Sequence, residues 1–111
     1  MPNLWEQDFG LWEDIPATEI PDLGPLTPRE LARYRPPDGE SFNQMCARVR
    51  PVLEKASGRV VVVAHAGTAR AALSMVAGPA ALSFAIAPLS VTQMTLTPAG
   101  WAVECASRTF A

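Results

Sequence analysis

Arg59-Val60-Val61-Val62-Val63-Ala64-His65-Ala66-Gly67-Thr68 is the stretch whose reading decides the fold. Four consecutive valines carry two heavy atoms on each Cβ, which suits a pleated strand and crowds a helix. The run has no polar alternation, so the pattern predicts a strand over 59–64 buried on both faces, as in the centre of a parallel sheet. His65-Ala66-Gly67 closes that strand. Thr68 then predicts the cap of a helix running to about Ala77, with Ala69, Ala72, Leu73 and Val76 inward and Gly78-Pro79 as its stop. A strand, a tight turn and a helix form the repeating unit of an α/β fold.

The flanks fit the same class. Upstream, Ser41-Phe42-Asn43-Gln44 reads as a capping box, and Phe42, Met45, Cys46, Val49, Val52 and Leu53 recur at helical spacing. Pro51 removes one backbone donor from that helix, so a kink or a stop near Arg50 is compatible with the pattern, and Gly58 ends it. Before it, Pro16, Pro21, Pro25, Pro28, Pro36 and Pro37 divide 15–39 into loop, interrupted by one short helix that Thr27-Pro28-Arg29-Glu30 starts and Pro36-Pro37 stops. Downstream of Leu89 the period changes to two. Met94 and Leu96 alternate with Gln93, Thr95 and Thr97, and Pro98-Ala99-Gly100 turns the chain into Trp101-Ala102-Val103-Glu104-Cys105, a β-hairpin.

With 111 residues, 49% of them apolar, the sequence suffices for one hydrophobic core and not for two. Nine basic and eleven acidic residues are scattered along it, giving a net charge of −2 and no electrostatic footprint for a nucleic acid or a membrane surface. A small molecule or a protein is the expected partner. Cys46 and Cys105 stand singly, without metal-ligand spacing or a secreted disulfide framework, and are expected to be reduced core residues. No metal site or cofactor is expected, since one histidine and two remote cysteines make no zinc constellation. No run approaches the roughly 20 apolar residues of a membrane-spanning helix, and Met1-Pro2-Asn3 opens no signal sequence. The cytoplasm is the default location.

His65 is the sole histidine. At the end of a buried strand and just before a helix, its ring is placed to donate a hydrogen bond to an anion, because ligands of open α/β sheets bind beyond those strand ends and free helix N–H groups favour negative charge. Satisfying its own ring hydrogen bonds at a strand end is the alternative. Ala66 and Gly67 favour the ligand, because their small size lets one approach the backbone. Arg70, one turn further on, is either a second positive group for that ligand or a solvated surface arginine. The other candidate is the run from Leu4 to Glu13, Leu-Trp-Glu-Gln-Asp-Phe-Gly-Leu-Trp-Glu. A carboxylate beside aromatic rings suits a general acid. An acidic loop anchored by two tryptophans fits equally.

Three motifs together resemble the histidine phosphatases, the phosphoglycerate mutase-like superfamily. Leu4-x-Glu6-x-x-x-Gly10-x-Trp12-Glu13 is similar to that family's L-x-E-x-x-x-G-x-W-E-G, Gly39-Glu40-Ser41 to its G-E-S helix start with an arginine further along, and His65-Ala66-Gly67 to its second histidine motif. They occur in the family's order, and Ile86 to Thr92 with the final hairpin are similar to its closing strands. The resemblance implies a three-layer α/β/α sandwich. It also implies a phosphomonoesterase acting on a small phosphorylated metabolite through a phosphohistidine. Within the family, the short Glu-bearing motif is nearer to small-molecule phosphatases, including the α-ribazole type, than to the mutases. Carried over, Glu6 is the proton donor and later general base, His65 holds the phosphoryl oxygens with the Ala66 amide, and Arg70 adds charge. The stretch 15–39 is then the substrate-selecting loop.

The resemblance also exposes a gap. The family's attacking histidine lies in an Arg-His-Gly at the end of its first strand, and this sequence has no such motif. One histidine cannot be both the nucleophile and its partner. The expectation is a partial histidine phosphatase domain over 1–111, lacking the first strand and helix and inactive alone. Two accounts fit, a true start upstream of Met1 or a short protein, and the first is favoured because the sequence enters the pattern in mid-domain. Without the first strand, 60–64 becomes an exposed apolar edge, so self-association is expected there. The competing expectation is a non-catalytic module that binds a phosphorylated ligand or pairs with another chain.

Overall fold

Helix α1, Pro28–Arg33, is started by Thr27, whose hydroxyl accepts from the Glu30 amide at 3.2 Å, and it ends three residues before Pro36. These are positions in a computed structural model that describes residues 2–110. Helix α2, Phe42–Lys55, begins at the reciprocal pair that the sequence predicts: Ser41 Oγ accepts from Gln44 N at 3.1 Å, and Gln44 Oε1 accepts from Ser41 N at 2.7 Å. Pro51 lies inside α2 without ending it, and the helix runs on to Lys55. Replacing Ser41 with Ala removes one half of this box and should lower stability by about 1 kcal/mol, measurable as a shift of the urea midpoint at unchanged slope.

Phe42, Met45 and Val49 lie on one stripe of α2 and are buried, with Cys46, Val52 and Leu53 at its margin. They pack against Ala71 and Leu73 of helix α3, Ala66–Ala77, to form the core together with Leu4, Ala32 and Ala81. Gly78 closes α3, and a 3-10 segment, Gly78–Ser83, returns the chain across both α3 and α1. The hairpin follows, with strands β1, Val91–Thr97, and β2, Gly100–Arg108, paired antiparallel. Strand β2 rests on α3, and Ala106 reaches the edge of the core. The result is a mixed α/β arrangement whose described sheet has two strands.

Two expectations are corrected. The first concerns the valine run, which forms no strand and is not buried: Val60, Val61, Val62 and Val63 are 54, 84, 43 and 96% exposed. A strand exists only where a neighbour takes its N–H and C=O groups, and among the described residues β1 and β2 pair only with each other. The second concerns helix α3, which starts at Ala66 with His65 as its N-cap, so Thr68 lies within the first turn and caps nothing. Its inward face is accordingly rotated: Gly67, Thr68, Ala71 and Leu73 are buried, Ala69 and Ala72 only partly, and Val76 is exposed.

Candidate active site

Leu4 is buried in the core, and its carbonyl accepts a 2.8 Å bond from the Thr68 hydroxyl of α3. This anchors the N-terminal segment beside the start of α3. Two residues on, Glu6 turns its carboxylate toward the same helix end: Oε2 accepts from the Gly67 amide at 3.1 Å, and Oε1 accepts from the Gln7 amide at 2.8 Å. The first amides of a helix have no intrahelical partner and favour an anion, so a carboxylate satisfies one of them there. Gly67 has to lack a side chain for this. A Cβ built on it would overlap Glu6 Oε1 and stand 2.8 Å from the carboxyl carbon.

A second set of bonds fixes the other side of the segment. Arg48, on α2, forks onto Glu40 with Nε at 3.2 Å from both carboxylate oxygens and Nη2 at 2.6 Å from Oε1. Its remaining donors reach the segment's backbone, Nη2 to the Glu6 carbonyl at 2.8 Å and Nη1 to that of Asn3 at 3.0 Å. Glu40 continues the clamp, accepting from the Asp8 amide at 3.0 Å, while its own amide donates to the Asp8 carbonyl at 2.7 Å and its carbonyl accepts from Gln7 Nε2 at 2.9 Å. Gly10 and Gly39 let these two backbones meet. A Cβ on Gly39 would come within 2.8 Å of Gly10 N, and one on Gly10 would strike the Pro37 carbonyl.

The predicted residues thus fall around one end of α3. Glu6 bonds to Gly67, His65 is the exposed N-cap with no side-chain bond to the helix, and Ala66 is the first helical residue. Arg70 lies one turn along, where Nε donates to the Phe84 carbonyl at 2.9 Å. It also lines a shallow cleft of about 200 Å³ with Gln7, Trp12, Leu31, Tyr34 and Leu82, in which Trp12 stacks on Tyr34 with ring centroids 5.5 Å apart. Chemically, a carboxylate and an imidazole at a helix N-terminus suit proton transfer to and from a bound anion. The cysteines lie elsewhere. Cys46 is half-buried, accepts from the Ser74 hydroxyl, and has its thiol pushed up by burial.

The family model described as histidine phosphatase superfamily (branch 1) matches residues 1–109. This chain belongs to the histidine phosphatase superfamily. No curated protein matches it. Among the described residues, no group of three or more His, Cys, Asp or Glu is placed to hold a metal ion, and no helix is long and apolar enough to cross a membrane.

For a histidine phosphatase domain, the sequence signals point to Glu6 and His65 as candidates but not to the clamp that holds the segment carrying Glu6. Arg48 went unnamed, as no more than the arginine following Gly39-Glu40-Ser41. The spacing contains a usable signal: side chains on a helix lean toward its N-terminus, so an arginine two turns in reaches back to an acid just before the cap. Gly67, read as room for a ligand, makes room for Glu6.

Proposed function

We propose that this chain is the later part of a histidine phosphatase that hydrolyses a small phosphomonoester through a phosphohistidine, its attacking histidine being supplied by a segment outside this sequence. In that reading Glu6 protonates the departing alkoxide and then activates water, and His65 and the Ala66 amide hold the phosphoryl oxygens, with Arg70 adding charge. Positive groups stabilise the charge on the transferred group, while an acid neutralises the leaving oxygen. The reading rests chiefly on the 3.1 Å bond from the Gly67 amide to Glu6, which brings the proposed acid to within two residues of the proposed phosphate ligand. The fold implied is a three-layer α/β/α sandwich whose first strand lies beside Val60 to Val63. The cleft along Trp12, Leu31 and Tyr34, partly built from the 15–39 loop, supplies a wall for the leaving group.

The test uses this chain and a version extended upstream through an in-frame Arg-His-Gly, both assayed on a generic phosphomonoester. Turnover is expected from the extended form alone. Inorganic phosphate should bind both, and His65→Ala should weaken that binding by about tenfold or more, the worth of a hydrogen bond to a charged group. Turnover by the short chain that survives His65→Ala would sink the assignment.

A second reading is favoured by the exposure of Val61 and Val63, at 84 and 96%. It takes the chain as a non-catalytic module that associates with a second copy through 60–63. Light scattering and phosphate binding together separate the two readings, because a hydrolase fragment needs phosphate affinity and a pairing module needs only a concentration-dependent mass.

A further inference from the structure

We propose that Arg48 is the positioning residue for Glu6, acting as a latch that sets how far the carboxylate reaches toward α3. The proposal rests on the reading of Glu6 as the acid. Arg48 never touches the Glu6 carboxylate. It holds the carbonyls of Asn3 and Glu6 on either side of Leu4 and Trp5, at 3.0 and 2.8 Å, while Glu40 orients the guanidinium and takes the Asp8 amide. Glu6 is thereby bounded before and after by bonds to α2 and to Glu40, just before its cap, and the Leu4 carbonyl is bonded to Thr68 of α3. With the backbone fixed at these points, the side chain of Glu6 spans to Gly67.

A planar fork is needed for this. Its donors point in set directions to two acceptors on Glu40 and two carbonyls, whereas a lysine ammonium is a single point of charge that cannot span them. The pair is only partly exposed, at 25% for the Arg48 side chain and 19% for that of Glu40, so water competes weakly for the same donors.

The test reads a group that Arg48 does not contact. In the ¹⁵N-labelled full chain, the Gly67 amide signal reports the bond to Glu6, and Glu6→Ala calibrates its loss. Arg48→Met is expected to move that signal most of the way to the Glu6→Ala position and to raise Gly67 amide exchange by about tenfold, with Leu73 protection retained. Arg48→Lys, which keeps the charge and most of the stem, should give an intermediate shift and decides the matter if Arg48→Met does not fold. A Gly67 signal left at its wild-type position in a folded Arg48 variant overturns the latch. Phosphate binding lost in His65→Ala but unchanged in Arg48→Lys leaves the functional reading intact, so the two failures are distinguishable.

Discussion

Gly67→Ala is expected to leave the chain folded and to abolish the acid role proposed for Glu6. Helix propensity favours Ala over Gly by about 1 kcal/mol inside a helix, and losing the bond from the Gly67 amide to the Glu6 carboxylate costs about 1.5–3 kcal/mol because the acceptor is charged. The obstacle to the new methyl is the far end of a flexible side chain and not backbone. Glu6 therefore gives way, and the net change in stability stays near 1 kcal/mol. The site fares differently, because the carboxylate is displaced from the end of α3 beside His65. A positioned acid or base contributes roughly 10²–10⁴-fold in rate, so in the upstream-extended chain kcat should fall by a factor of that order while the thermal midpoint moves by a few degrees. Wild-type kcat in a folded Gly67→Ala chain would show that Glu6 is not the acid.

The contrast between local and non-local signals explains what the sequence made legible. The starts of α1 and α2 were readable because a cap is a bond between residues three apart, as in Ser41 with Gln44 and Thr27 with Glu30. The hairpin was readable from its period and turn. Helix α3 was placed but its cap was read three residues late, since Thr68 resembles a cap by type while its hydroxyl is taken by the Leu4 carbonyl, 64 residues away in sequence. The same blindness hid the clamp of Arg48 on Asn3 and Glu6. The valines failed for another reason. β-branching describes what a pleated surface accepts, and whether such a surface exists depends on a neighbouring strand.

The exposed valines carry the other large expectation. If 60–63 pairs with its counterpart in a second copy, the wild-type chain should show a mass rising with concentration, and Val61→Glu with Val63→Glu should return it to the 11.9 kDa monomer. Residues two apart share a face of an extended chain, so these two valines present one apolar surface. Fully covering a valine contributes about 1.5–3 kcal/mol, and covering the two from each copy gives roughly 6–12 kcal/mol, against an association cost of about 4–15 kcal/mol. The balance predicts weak pairing, visible at high concentration and lost when charge is placed on the edge. Glutamate is the informative substitution: two lysines would take the net charge from −2 to zero, which itself promotes association, whereas two glutamates take it to −4. Both positions are exposed, so folding stability should change by no more than about 0.5 kcal/mol. Light scattering across a hundredfold concentration series decides the matter, and a wild-type chain that stays at monomer mass throughout removes the pairing module and leaves the open edge for a strand of its own domain.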